Sequence, residues 1–101
     1  MPYYGGHGKF TAKPGERDNL LNGLLQAADL MRPFDGCLLY VVSTSPTEPE
    51  AVLVTEMWTS KEAHDDSLKL ESVQALIPQV LPFIGGPSEG SWFEPVGGKG
   101  L

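Results

Sequence analysis

Nine residues, Glu56-Met57-Trp58-Thr59-Ser60-Lys61-Glu62-Ala63-His64, constrain the fold most: a β-rich run ends there on a tryptophan and turns at once into a helix carrying a histidine. The helix start is signalled by Thr59 and Glu62, which have the S/T-x-x-E spacing of a capping box, each side chain satisfying an orphan backbone N–H near the first turn. Trp58 and His64 are therefore expected on rigid elements. At about 100° per residue, Ala63, His64, Ser67, Leu68 and Leu70 fall in one arc of this helix, with Lys61, Glu62, Asp65, Asp66 and Lys69 opposite. His64 thus faces the body of the fold. An imidazole there is either a proton donor and acceptor, with an unperturbed pKa of about 6.5, or a core histidine bonded to a backbone carbonyl.

The rest of the chain alternates in period. Tyr3 to Ala12 reads as a first strand, interrupted by Gly5, Gly6 and Gly8, which suggests a bulge or a close approach to the backbone. From Glu16 to Met31, Leu20, Leu21, Leu24, Leu25, Ala28 and Met31 recur at helical spacing, and Arg32-Pro33 ends the helix. Cys37 to Ser43 and Ala51 to Trp58 read as strands separated by a loop containing Pro46 and Pro49. In the later strand Val52, Val54, Glu56 and Trp58 share one face, which makes Glu56 and Trp58 neighbours. Ser72 to about Pro78 reads as a short helix followed by a packed loop, and Ser88 to Pro95 as a last strand around Trp92 and Phe93. The order β-α-β-β-α-β is the α+β, ferredoxin-like arrangement with a four-stranded antiparallel sheet. Residues 1–96 are expected to form one domain, and 97–101 a glycine-rich tail that either folds over a pocket or partner or frays.

A chain of 101 residues buries about 65% of the surface that its unfolded form exposes, so covering a sheet face against a second copy is an expected source of stability. With 13 acidic and 7 basic residues and no basic cluster, nucleic acid and anionic membranes are poor partners. One cysteine, Cys37, can form no internal disulfide and offers no zinc spacing; it reads as a small core residue, and the chain as cytoplasmic. No apolar run approaches the ~18 residues that a membrane span needs, and no signal peptide is visible at the start.

Several features resemble the antibiotic biosynthesis monooxygenase family of dimeric α+β barrels. They are Ala12-Lys13-Pro14-Gly15 before the first helix, Gly36-Cys37-Leu38 with Tyr40, Glu56-x-Trp58 followed by Ser60-x-Glu62-Ala63, and Leu81-Pro82 before the last strand. The resemblance implies a homodimer whose sheets face each other, and a pocket between sheet and helices. It also implies oxidation of a small aromatic, of quinol, phenol or anthrone type, by O₂ with no cofactor. A deprotonated phenolic substrate can itself pass an electron to O₂, so the protein needs a base, an oxyanion donor and an apolar wall. Trp58 matches the tryptophan that ends the third strand in these oxygenases, which makes its indole N–H a donor to a substrate oxygen. His64 stands where some members have a tyrosine and would be the base. Val54 replaces an asparagine of some members, and Asp66 and Ser67 stand where the haem-degrading branch has its tryptophan.

Tyr40, Glu56 and His7 complete the candidate substrate-binding set: a hydroxyl on a neighbouring strand, a carboxylate beside Trp58, and an imidazole among glycines. Two imidazoles and a carboxylate (His7, His64, Glu56) could also hold a metal, although no spacing requires it, and no metal is expected. The readings that remain are a cofactor-free monooxygenase, a non-oxidative isomerase of a small carbonyl compound, and a small-molecule-binding stress protein. A tautomerase using Pro2 as base fits the element order less well.

Overall fold

The computed structural model describes residues 2–101. Its elements are β1 (Tyr4–Thr11), α1 (Arg17–Met31), β2 (Cys37–Thr44), β3 (Ala51–Trp58), α2 (Lys61–Ser67), α3 (Glu71–Val80), a 3₁₀ turn (Leu81–Phe83) and β4 (Glu89–Phe93). The strands form one antiparallel sheet in the order β2-β3-β1-β4, so the fold is ferredoxin-like α+β.

Side-chain alternation gives the sheet two unlike faces. On one, Val52 and Val54 of β3 join Ala12 and the helical residues Leu20, Leu24, Leu76 and Val80 in a buried core. Burying a Leu or Val side chain is worth about 1.5–3 kcal/mol each, and this cluster fixes α1 and α3 on the sheet. On the other face, Leu39 pairs with Met57, Met57 with Gly5, and Gly5 with Phe93, forming a row that no helix covers. Leu39, Val41 and Phe93 are 40, 44 and 42% exposed.

One open alternative is decided and two expectations need correction. The glycines of β1 make no bulge, since its pairing with β3 runs unbroken from Tyr4↔Trp58 to Thr11↔Ala51. They mark close approach instead: side chains at Gly5 and Gly6 would collide with the rings of Phe93 and Trp92. The sheet's register shift lies in β2, between Cys37 and Leu39. The cap of α2 is Ser60, whose Oγ accepts from the Ala63 N–H at 3.1 Å, not Thr59, whose own N–H donates to the Gly36 carbonyl at 2.9 Å. That bond ties the corner to the start of β2, where a Cβ on Gly36 would stand 2.7 Å from the Ala63 methyl. Finally, α3 continues through Pro78 to Val80. A proline removes one helical bond, but burial of Leu76 and Val80 against α1 outweighs it.

The tail bends on itself through the Leu101 N–H and the Gly98 carbonyl, and its residues are largely exposed. Among the described residues no helix is long and apolar enough to cross a membrane.

Gly6→Ala is expected to push Trp92 off its stack on Tyr4 and to cost about 1–3 kcal/mol. Gly86→Ala, where nothing lies within 4 Å of an added Cβ, is expected to leave stability within about 0.5 kcal/mol of the parent. Urea denaturation followed by tryptophan fluorescence measures both, and equal stabilities would remove the steric reading of β1.

Candidate functional site

Register brings three of the five candidate residues together, and α2 adds a fourth. Tyr40 pairs with Glu56 across β2 and β3, and Tyr4 pairs with Trp58 across β1 and β3, all on the helix-covered face. Trp58 is 1% exposed and its indole N–H donates to Glu56 Oε1 at 3.0 Å. A buried indole needs such a partner, and period-two alternation puts a carboxylate two residues back. The expected donor to substrate is therefore committed to Glu56.

The short cap-to-helix connection then swings His64 over the same spot. Its Nε2 lies 3.8 Å from Glu56 Oε1, and its side chain is 14% exposed. Three rings enclose the imidazole: Trp58 edge-on at 5.3 Å, Trp92 at 4.8 Å and Tyr4 at 5.4 Å between centroids. Its Nδ1 faces Asp65 Oδ1 at 3.0 Å, and Asp65 Oδ2 receives Lys61 Nζ at 2.9 Å. Ser67, expected on the inner arc, is buried and donates to the His64 carbonyl at 2.6 Å.

Burial pushes the Glu56 carboxyl above its usual range, partly offset by the Trp58 N–H and by His64. Tyr40 is held well above the ordinary phenol range by burial, with smaller contributions from Glu56 and Cys37, so its hydroxyl stays protonated and can donate. The Cys37 thiol is likewise raised by burial. Glu56 faces a cleft of about 220 Å³ whose lining mixes Phe10, Val54 and Trp92 with the polar His7, Glu89 and Ser91. That volume is below the ~300 Å³ of ordinary ligand pockets and suits a small flat molecule. A wider hollow of about 380 Å³ at the β2 edge is lined by Met31, Arg32, Cys37 and Tyr40 among others, away from His64.

His7 lines the same cleft as Glu56, although its ring is bonded away from His64. It pairs with Thr55 and Ser91, its Nδ1 is 3.3 Å from Thr55 Oγ1, and its side chain belongs to the uncovered face. Glu56 and His64 on one side of the sheet and His7 on the other do not converge on a metal, and no group of three metal-ligating side chains occurs among the described residues. The sequence reading missed Asp65, assigned to the solvent arc, and Trp92, taken only as the centre of a strand. A β4 aromatic opposite the glycines of β1 was the available signal for Trp92.

The family model for antibiotic biosynthesis monooxygenases matches residues 4–79. A candidate antibiotic biosynthesis monooxygenase from Chloroflexus aurantiacus J-10-fl has 43% identity, covers 95% of each chain, and superposes with a TM-score of 0.86. The chain belongs to the antibiotic biosynthesis monooxygenase family. Likeness in fold extends further. A candidate monooxygenase from Caulobacter crescentus CB15 has 19% identity, covers 96% of this chain and 92% of its own, and gives a TM-score of 0.88. A Mycobacterium tuberculosis protein has 20% identity, covers 96% and 98%, and gives 0.84. No curated protein matches the chain. Members of the antibiotic biosynthesis monooxygenase family are generally small-molecule-binding proteins, in keeping with a cleft over β1, β3 and β4.

The raised proton affinity of Glu56 has a stability consequence of definite sign. Below the ordinary glutamate value of about 4.3 both folded and unfolded chains hold the proton, and nothing is lost. As pH rises through that value and past the folded-state one, the chain must ionise a half-buried carboxyl, so stability falls. Glu56→Gln keeps an acceptor for Trp58 and is expected to melt a few degrees higher than the parent at pH 8 and within error of it at pH 3.5. Thermal melts at the two pH values check this; an equal shift at both would assign the effect to packing.

Proposed function

We propose that this chain is a cofactor-independent monooxygenase that oxidises a small electron-rich aromatic, of quinol, phenol or anthrone type, with O₂. The observation that carries the reading is Glu56, a carboxyl of raised proton affinity beside His64 at the wall of a cleft of mixed polar and apolar lining. A substrate hydroxyl or acidic C–H placed within about 2.6–3.2 Å of His64 Nε2 or Glu56 gives up its proton there. The resulting anion passes one electron to O₂, and the radical pair combines with a new C–O bond to a ring peroxide. Loss of the second C–H proton as the O–O bond breaks leaves a carbonyl and releases water, so that CH₂ and O₂ become C=O and H₂O. Phe10, Val54 and Trp92 offer the radical pair apolar walls. His64 and Glu56 carry the proton, Trp58 orients Glu56, and Tyr40, opposite Glu56 in the sheet, keeps a protonated hydroxyl as a further donor.

A second reading, an isomerase of a small carbonyl compound, draws on the same pair, since two proton acceptors 3.8 Å apart could move a proton between carbons without O₂. O₂ consumption by metal-stripped protein on a panel of quinols, anthrones and flavonols separates the two. Uptake above autoxidation is expected, with kcat/KM reduced about 10²-fold in His64→Ala and in Glu56→Gln, and the double variant little worse than either alone. Turnover that persists under nitrogen would favour the isomerase; binding with no turnover in air or nitrogen would leave a binding protein.

The same reading takes the open sheet face, with Leu39, Val41, Met57 and Phe93, as the contact with a second copy of the chain. Val41→Lys sets a charge on that face without touching the core. Sedimentation equilibrium is expected to give a dimer for the parent and a monomer for the variant. A monomeric parent would sink the assignment.

A further inference from the structure

Proton chemistry at His64 depends on which ring nitrogen is free. A neutral imidazole carries one N–H and one lone pair, and in water the hydrogen prefers Nε2. A His64 of that kind would present an N–H, not a base, to Glu56. Nothing on the Nε2 side corrects this, because Glu56 Oε1 at 3.8 Å is beyond hydrogen-bond reach. The Nδ1 side is different, with a carboxylate oxygen at 3.0 Å.

We propose that Asp65 is the positioning residue of this site: its carboxylate keeps the His64 proton on Nδ1 and turns the Nε2 lone pair towards Glu56. This deepens the proposed proton transfer and rests on that reading for its catalytic consequence, though not for the tautomer. The geometry forms one continuous line, from Lys61 Nζ through the two oxygens of Asp65 and the two nitrogens of His64 to Glu56 Oε1 and the Trp58 N–H. Lys61, first, and His64 hold the Asp65 carboxyl below its usual range, so it is ionised and can only accept hydrogen bonds. An acceptor at 3.0 Å requires a hydrogen on Nδ1. The titratable groups around the ring are Asp65 and, through it, Lys61 on α2, Glu56 on β3 and Tyr4 on β1; the remaining walls are the rings of Trp58 and Trp92. The enclosing aromatics fix the plane of the imidazole but cannot choose its tautomer. That choice falls to Asp65, which sits on the flank of α2 and is 44% exposed, so it can be replaced without opening the core.

Imidazole ¹⁵N shifts of the labelled protein above pH 8 read the tautomer directly. The parent is expected to show a protonated-type Nδ1 and a lone-pair-type Nε2 for His64. Asp65→Ala and the isosteric Asp65→Asn should both revert towards the Nε2–H form, with melting curves confirming that each is folded. Lys61→Ala, which leaves the carboxylate in place, should keep the parental pattern. On a substrate found by O₂ uptake, Asp65→Ala is expected to lose about tenfold in kcat with KM unchanged. An Nε2–H tautomer in the parent, or an unaltered one in both Asp65 variants, would overturn the proposal. An Nδ1–H tautomer that depends on Asp65, in a protein that consumes no O₂ on any substrate, would instead uphold the positioning and defeat the oxygenase reading.

Discussion

The site depends on how a buried indole N–H at the end of β3 is satisfied. Trp58 closes the corner between sheet and α2 and is 1% exposed, so an unpaired N–H there would cost about 1–3 kcal/mol. The strand's own alternation supplies the partner, Glu56, on the same face. Once the carboxyl is drawn in to serve the indole it is desolvated, and desolvation is what raises its proton affinity. His64 then arrives over it because Ser60 starts α2 immediately after the strand. A packing requirement and a chemical opportunity thus come from the same contact.

The two faces of the sheet divide the remaining work. The helix-covered face holds the core and, at the Trp58 end, the aromatic enclosure of His64; the other carries an apolar row that α1 and α3 cannot reach. Glycines in β1 allow this thin sheet to hold large rings from β4, with Trp92 lying over Gly6 on the helix side and Phe93 over Gly5 on the open side. Without that room Trp92 could not stack on Tyr4 at 4.9 Å and also wall the cleft.

Most of the fold was legible because its signals were periodic. Strand β3 follows its alternating pattern from Ala51 to Trp58, and α1 begins one residue inside the apolar repeat. The neighbourhood of Glu56, Trp58 and Tyr40 followed partly from period two, though the pairing of β2 with β3 was needed to set Tyr40 opposite Glu56. The misses were places where tertiary contact overrode a local rule. Pro78 looked like a helix end, yet burial of its neighbours carried α3 past it. Thr59 matched the capping pattern, but its N–H was claimed by the Gly36 carbonyl and Ser60 took the cap. Asp65 was read as solvent-facing, and its backbone position is so. Its carboxylate nevertheless turns back to the adjacent ring, a choice that helical wheel angles do not encode.

A carboxylate is more than the structural contact at β3 demands. A glutamine would accept the Trp58 N–H equally well and would not have to ionise in a half-buried place, so on packing grounds alone Glu56 is the costlier residue at neutral pH. The same holds for His64, whose enclosure by three rings a phenylalanine or leucine could fill without any polar atom needing a partner. Two titratable groups 3.8 Å apart, each replaceable by a neutral side chain that would pack as well or better, are what a site for moving protons requires and what a core does not. Sites of this kind stand out by carrying charge where the fold has no use for it.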